Sequence, residues 1–371
     1  MIISNGPVGV GVIGAGVIST EYLRNLTGLP DLEVRAVGDL DEDRACAQAA
    51  AFGVARAGPV DAVLGDESIE LVVNLTVPKA HVDVALRAIA AGKHVWNEKP
   101  IALDRASTRT LLDAARDRGV RVAAAPDTFL GPGIQTARRL VESGAIGTPL
   151  TALTLMQSPG PESWHPNPDF LFQDGAGPLF DIGPYYLTAL VQLLGPVSQV
   201  TAVTSRARAV RTVGSGPRAG QRFDVTVPTH VAAIYRFAGG ASAQCLFSFD
   251  SPIRRRLVEI TGTDGVLAVP DPNTFSGEIV LHRTGAEPVT IPPVAAVITR
   301  GTGVLELARA LRAGRPERAS GELGGHVLDV MISTIEAADR GSPVQVASAV
   351  EVAPALPEGW DPSARTLTRR P

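Results

Sequence analysis

Residues 8 to 19 read Val8-Gly9-Val10-Gly11-Val12-Ile13-Gly14-Ala15-Gly16-Val17-Ile18-Ser19, an apolar β-branched run that stops in a glycine turn. Val8–Ile13 has the composition of a short buried strand, and Thr20–Leu29 reads as a helix. Leu32–Val37 reads as a second strand ending in Gly38-Asp39. Strand, glycine turn, helix, strand and acid make one βαβ unit. Gly14 allows the tight turn, and Gly16 lets a pyrophosphate approach the backbone at the helix N-terminus, beside Val17 and Ile18. Ser19 stands in for a third glycine, small enough for close helix–strand packing. Alone the glycine spacing is a weak signal; in this context, with Asp39 25 residues after Gly14, it points to a dinucleotide. Asp39 is placed to accept hydrogen bonds from the adenosine ribose, and Asp41 adds a charge that repels a 2′-phosphate. NAD is therefore favoured; Arg44 nearby leaves NADP open.

The rhythm continues outward. Asp43–Phe52 is alanine-rich and helical, Asp61–Leu64 fits a short connecting helix or strand, and Leu71–Leu75 is a buried strand leading into Thr76-Val77-Pro78-Lys79-Ala80-His81. His81–Ala91 repeats its apolar positions at helical spacing and Gly92 closes it. Lys93–Asn97 is the next strand and runs into Glu98-Lys99-Pro100. Ligands sit at the carboxyl ends of parallel strands, so Thr76, Val77, Glu98 and Lys99 face a site. Pro100 cannot continue the ladder and fixes the direction of Lys99. His81 either joins that site or is an ordinary first-turn helix residue. Ala106–Arg118 and Val120–Ala125 add a helix and a strand. The fold class is α/β: a doubly wound parallel sheet over residues 1–127.

After Ala125 the pattern changes. Gly131-Pro132-Gly133 breaks the chain, Ile134–Ser143 is helical, and β-rich runs follow at Leu150–Gln157, Val197–Ser205, Thr229–Phe237, Ala241–Phe249, Arg256–Thr261 and Val266–Val269. Gly214–Gly220 reads as an exposed hairpin or a disordered loop. Val304–Arg312 and Leu323–Asp339 are helical, and Pro354–Pro371 is an irregular basic tail. Residues 128–371 are therefore expected to form a second, α+β domain with an open, mostly antiparallel sheet. Such a sheet has an apolar face to bury, which predicts a homodimer or homotetramer.

Composition narrows the function. The 371 residues are 45% hydrophobic and 19% charged, with a net charge of −4. That marks a globular chain without the basic footprint of a nucleic-acid binder. No apolar run reaches membrane-spanning length, and the first residues carry no charged leader. Cys46 and Cys245, both in apolar segments, read as buried free thiols, and no residue cluster has zinc spacing. A reducing, cytoplasmic enzyme of two domains fits, with no metal, membrane or nucleic-acid partner.

These motifs resemble the Gfo/Idh/MocA family. The matching residues are Gly11-Val-Ile-Gly14-Ala-Gly16, Thr76 with His81 five residues on, Ala91-Gly-Lys-His-Val95 leading into Glu98-Lys99-Pro100, and Gly175-Ala-Gly177-Pro-Leu-Phe-Asp181-Ile-Gly183. Leu323–Gly341 looks like the family's late helix. The resemblance covers about residues 8 to 345. It implies a Rossmann domain and an open-sheet domain that often builds dimers or tetramers. It also implies NAD- or NADP-linked redox chemistry at a secondary alcohol of a sugar or cyclitol. By position Lys99 corresponds to the family's catalytic lysine and Asp181 to the acid of its later motif. Where relatives commonly carry histidine four residues after that acid, this chain has Tyr185.

Removing hydride from a carbinol carbon leaves an alcohol proton, so the protein must supply a base. Either Lys99 serves as a neutral amine, or a charged Lys99 assists the Tyr185 phenol, with Asp181 orienting the lysine or a neighbouring hydroxyl. Tyr186 reads as a helix-start aromatic packing between domains. Ser163-Trp164-His165-Pro166-Asn167-Pro168 is a loop in which Trp164 can stack on a sugar ring and His165 can bond its hydroxyls, or in which a buried tryptophan merely staples the loop. His230 points either at a pocket or into sheet packing, His94 and His326 read as core histidines, and His282 as exposed. Two further readings compete with a dehydrogenase. One is a glycosidase or lyase that oxidises its sugar transiently; the other is a non-catalytic dinucleotide sensor.

Overall fold

A computed structural model describes residues 6–294 and 298–368. By internal packing the chain forms two compact units: residues 1–131, 295–328 and 353–371 make the first, and residues 132–294 and 329–352 the second. The expected boundary at 127/128 lies close to the observed one. The expectation that everything after it belongs to the second domain does not hold, because two later segments return to the first unit.

The first unit is built from β1 (Val8–Ile13), α1 (Val17–Leu26), β2 (Leu32–Gly38), α2 (Glu42–Ala51), β3 (Arg56–Gly58), α3 (Val60–Leu64), β4 (Leu71–Asn74), α4 (His81–Ala90), β5 (His94–Asn97), α5 (Arg105–Arg118) and β6 (Val122–Ala124). All six strands are parallel, in the order β3-β2-β1-β4-β5-β6. β1 and β4 are buried along their whole length. Near-continuous apolar strands are what a sheet covered on both faces requires. Strand order reverses between β1 and β4, which opens a crevice at their carboxyl ends. On α2 the buried pair is Ala45 and Ala49, one turn apart. Cys46, next to Ala45, is thereby turned outward and is exposed, contrary to the buried thiol expected; Cys245 is buried.

The second unit begins with α6 (Pro132–Glu142), β7 (Pro149–Gln157), α7 (Gly177–Leu194), β8 (Val197–Ser205), β9 (Val210–Thr212), β10 (Arg222–Asp224), β11 (His230–Phe237), β12 (Ser242–Ser248), β13 (Arg255–Gly262), β14 (Val266–Ala268), β15 (Ile279–His282) and β16 (Val289–Ile291). Pro132 and Gly133 start α6 rather than break the chain, since a proline at a first helical position forfeits no intrahelical bond. The 214–220 stretch is the loop of the β9–β10 hairpin. With β17 (Val344–Gln345), the main sheet runs β16-β15-β14-β13-β7-β12-β11-β8-β17; β7 and β12 are parallel and every other pair is antiparallel. One face packs on helix, as where Tyr186 of α7 meets Phe247 edge-on. On the opposite face Leu153, Val203 and Ile234 stay exposed, Ile234 at 55%.

After β16, α8 (Thr302–Ala313) belongs to the first unit, and the partition falls inside α9 (Gly321–Arg340). Asp127 ties α8 down. It is fully buried, and its carboxylate accepts from the N–H groups of Gly301 (2.8 Å) and Gly303 (3.2 Å) and from Arg300 (3.1 Å). An acid from elsewhere thus satisfies amides at a helix N-terminus. Gly303 has no room for a side chain: a Cβ there would lie 2.0 Å from the Trp96 indole. The tail is irregular as expected through residue 368. It is held by Asp31, whose carboxylate accepts from the N–H groups of Thr366 (2.9 Å) and Leu367 (2.8 Å), the Thr366 hydroxyl and Arg309. The expectations for residues 1–5 and 369–371 fall outside the described residues.

Candidate active site

In the first unit the predicted nucleotide residues collect at the carboxyl ends of β1, β2, β4 and β5. Gly14 has φ +103°, and a Cβ on it would stand 2.6 Å from the carbonyl carbon of Leu75 and 2.8 Å from the Thr76 nitrogen. That position accepts only glycine. A Cβ on Gly16 would meet nothing within 4 Å, so open space lies over the start of α1 where a phosphate would approach. The free rim is apolar: Val17 is 95% exposed and Leu40 94%, with Ile18 and Val77 also uncovered. Leu40 was not singled out from the sequence, although its place directly after Asp39 was the available signal. Asp39 itself is buried and accepts from the N–H groups of Ala15 (2.6 Å) and Asp41 (2.9 Å) and from Arg44 (2.9 Å). Burial alone would raise its pKa, but these donors outweigh it and hold the carboxyl below its ordinary value. Arg44 is occupied by Asp39 and lies 3.6 Å from Asp41.

Beneath Lys99 is a rigid polar floor. Asn74 donates to Asn97 Oδ1 (2.6 Å) and to the His81 carbonyl, and the Thr76 hydroxyl donates to Asn74 Oδ1 (2.7 Å). The His81 ring is buried, with Nδ1 2.7 Å from the Pro100 carbonyl and Nε2 3.0 Å from that of Thr76. Burial, more than any neighbouring charge, lowers its pKa. The neutral ring carries one N–H, so His81 donates to one of these two carbonyls and braces either the Thr76 turn or the Lys99-Pro100 turn. Glu98 is fixed from two sides: Oε2 accepts from the Lys99 N–H (2.8 Å) and Oε1 from the Tyr22 hydroxyl (2.8 Å), which in turn accepts from Trp96. The Tyr22 phenol, pushed up by burial and then by Glu98, stays protonated.

In the second unit Asp181 and Tyr185 lie four residues apart on α7, hence on one face. They line a cavity of about 590 Å³ with Trp164, Phe249, Arg254, Arg256 and Asn273 among its other walls. In the Gly175–Gly183 motif the turn is confined to Asp174 and Gly175, and a helix then runs from Gly177 through Gly183 and Pro184. Trp164 is 60% exposed, which rules out the buried staple. His165 is not among the lining residues: its Nδ1 accepts from the Asn167 N–H (3.0 Å), and its ring sits edge-on between Trp164 and Phe170. The loop is anchored by Arg211, buried on β9, which bonds Glu162, the Pro159 and Phe249 carbonyls and Asp250. Tyr186 is buried within this unit against Phe247, and burial raises its pKa out of reach of proton transfer. His230 pairs with Ser248 across β11 and β12 on the exposed face, away from α7. His94 is half-buried, accepts from the Arg121 N–H, and is pushed down to about 4 mainly by burial. His282 is exposed and His326 buried. Among the described residues no group of three or more metal-binding side chains could hold an ion, and no helix is long and apolar enough to cross a membrane.

Residues 8–125 match the family model for an oxidoreductase with an NAD-binding Rossmann fold, and residues 134–268 that for the GFO/IDH/MocA C-terminal domain. The chain belongs to the Gfo/Idh/MocA family. Within that family it is 36% identical over 164 residues to inositol 2-dehydrogenase 3 of Saccharopolyspora erythraea, a match spanning 43% of this chain and 48% of that protein. It is 26% identical to the NADP-linked D-xylose 1-dehydrogenase 2 of Haloferax volcanii, over 91% of this chain and 99% of that one. A solved levoglucosan dehydrogenase in complex with NADH and L-sorbose has the same fold, with TM-score 0.79 at 23% identity, covering 92% of this chain and all of that one. The Gfo/Idh/MocA Rossmann domain binds NAD, and the glycine turn, its open space and the apolar rim suit that group.

Proposed function

We propose that this protein is an NAD-linked dehydrogenase or ketoreductase acting on a secondary hydroxyl of a sugar, glycoside or cyclitol. The observation that carries the reading is the pairing of Asp181 and Tyr185 on one helix face, beside the exposed Trp164 ring and lining a single cavity. An aromatic wall suits the apolar face of a sugar ring, and a carboxylate suits its hydroxyls. The dehydrogenases named above for inositol and D-xylose support the same substrate class.

Bound nicotinamide supplies the acceptor or donor of the hydride; the protein handles the remaining proton. In the oxidative direction the substrate's C–H pair leaves as hydride, the hydroxyl proton passes to a base, and a ketone results. Lys99 and Tyr185 are assigned to the proton and Asp181 to a substrate hydroxyl. Gly14, Gly16, Val17, Ile18, Asp39, Thr76, Val77 and Glu98 hold or frame the dinucleotide, while His81 braces one of the two turns. NAD is preferred over NADP because Asp39 stays ionised and Arg44 is already engaged. The uncovered sheet face is assigned to a homodimer or homotetramer, and a cytoplasmic site of action is consistent with the free Cys46. The test is a screen of monosaccharides, glycosides and inositols with NAD and NADP, followed as absorbance of the reduced cofactor. Failure of every member to give steady reduction sinks the proposal.

A further inference from the structure

We infer that the substrate carries an anionic group, a carboxylate or phosphate, held by Arg254 and Arg256. The inference rests on the reading that the α7 cavity takes the substrate. Arg254-Arg255-Arg256 runs into β13. Side chains alternate along a strand, so Arg256 shares the face of the buried Val258 and Ile260, toward α7, and Arg254 continues that row. Both line the cavity, whereas Arg255 does not. The cavity's one lining acid is Asp181. Arg256 has part of its charge met by Asp271, at 2.8 Å, but Arg254 has no acid partner among the described residues. A contrast lies nearby in the same unit: Arg211 is buried, and its guanidinium is matched by both Glu162 and Asp250. Arg211 is buried and neutralised, whereas Arg254 stands exposed at the cavity wall with no acid beside it among the described residues and so is open to an anion from solution.

A neutral sugar offers hydroxyls, which carboxylates and amides bind well, and gives a guanidinium no charge to meet. The Arg254 guanidinium, with Asn273 and the Asp271-paired Arg256 beside it, favours an oxyanion, which guanidinium forks bind through short charge-assisted hydrogen bonds. A sugar acid and a sugar phosphate would supply the same chemistry.

Binding and turnover separate the inference from the reading beneath it. Trp164 lines the cavity and provides a fluorescence probe. D-glucuronate, D-gluconate and D-glucose 6-phosphate are titrated beside D-glucose, with NAD saturating. At least one anion is expected to bind tenfold or more tighter than glucose, with affinity falling as salt rises. The advantage should collapse in Arg254→Gln and persist in Arg255→Gln; the carboxylate and phosphate arms identify the group. Equal binding of glucose and all three anions overturns the inference, as does an advantage that survives Arg254→Gln and Arg256→Gln together. Anion selectivity without turnover of any sugar leaves the anion site standing and overturns the redox reading.

Discussion

At the scale of single residues, the proposed cofactor preference rests on Asp39. Its carboxylate is held ionised by two backbone amides and Arg44. On the proposed reading, Asp39→Ala removes the ribose acceptor and releases Arg44 toward a 2′-phosphate. NAD affinity should fall about tenfold or more, since a hydrogen bond to a charged group is worth about 1.5–3 kcal/mol, while NADP changes little or improves. Isothermal titration with both nucleotides checks this, and a wild-type preference for NADP would contradict it. The proposed proton transfer is tested at Tyr185. General acid–base groups contribute about 10²–10⁴ in rate, so Tyr185→Phe should lose that much in kcat if the phenol moves the proton. Lys99→Arg should keep partial activity if the lysine works as a cation and none if it works as a neutral base. A Tyr185→Phe enzyme within about threefold of wild type, with an unchanged pH profile, returns the role to Lys99.

At the scale of elements, α7 separates what the sequence disclosed from what it hid. The βαβ rhythm was legible because strands buried on both faces are apolar throughout and because Gly14 and Gly16 answer local demands. α7 was obscured by Gly183 and Pro184, residues that normally end helices. Packing overrides that preference: a Cβ on Gly183 would press within 3.1 Å of Leu179 and 3.6 Å of Met331, a neighbour distant in sequence. β3, β9, β10, β15, β16 and β17 escaped notice because none exceeds four residues, and unlike the equally short β4, β5, β6 and β14 they sit in no repeating rhythm or longer apolar run. In the site, Tyr185 and Asp181 were legible through a motif. Arg254 and Arg256 were not, because only the register of β13 reveals which of three arginines face inward. The hold of Asp127 on α8 was equally invisible, since its partners lie more than 170 residues away. Asp127→Ala would leave Arg300 and two amides without that carboxylate; a cost of about 3–5 kcal/mol is expected, read as a lowered unfolding midpoint in denaturant.

At the scale of the whole molecule, the uncovered sheet face predicts assembly. Leu153, Val203 and Ile234 present apolar surface that self-association would bury. Light scattering should give a multiple of 38.6 kDa for the wild type and a shift toward one chain for Val203→Lys with Ile234→Lys; a monodisperse wild-type monomer at micromolar concentration refutes the assignment. Acid should loosen the tail. Asp31 is pressed upward by burial and more strongly downward by its donors, leaving a net depression below its ordinary 3.8. A carboxyl depressed by folding adds stability above its unfolded value and loses it as pH falls through the folded one. Hydrogen exchange at Thr366 and Leu367 should therefore quicken below about pH 4, and at neutral pH in Asp31→Asn. The same return of chain has a bearing on synthesis. The ribosome completes β1 through β6 about 177 residues before Gly301 and about 242 before Thr366, so Asp127 and Asp31 wait without the donors that meet their charge in the finished chain. The nascent nucleotide-binding half must stay provisional until translation is nearly over, so a transcript truncated after residue 131 should yield a chaperone client and not a free-standing domain.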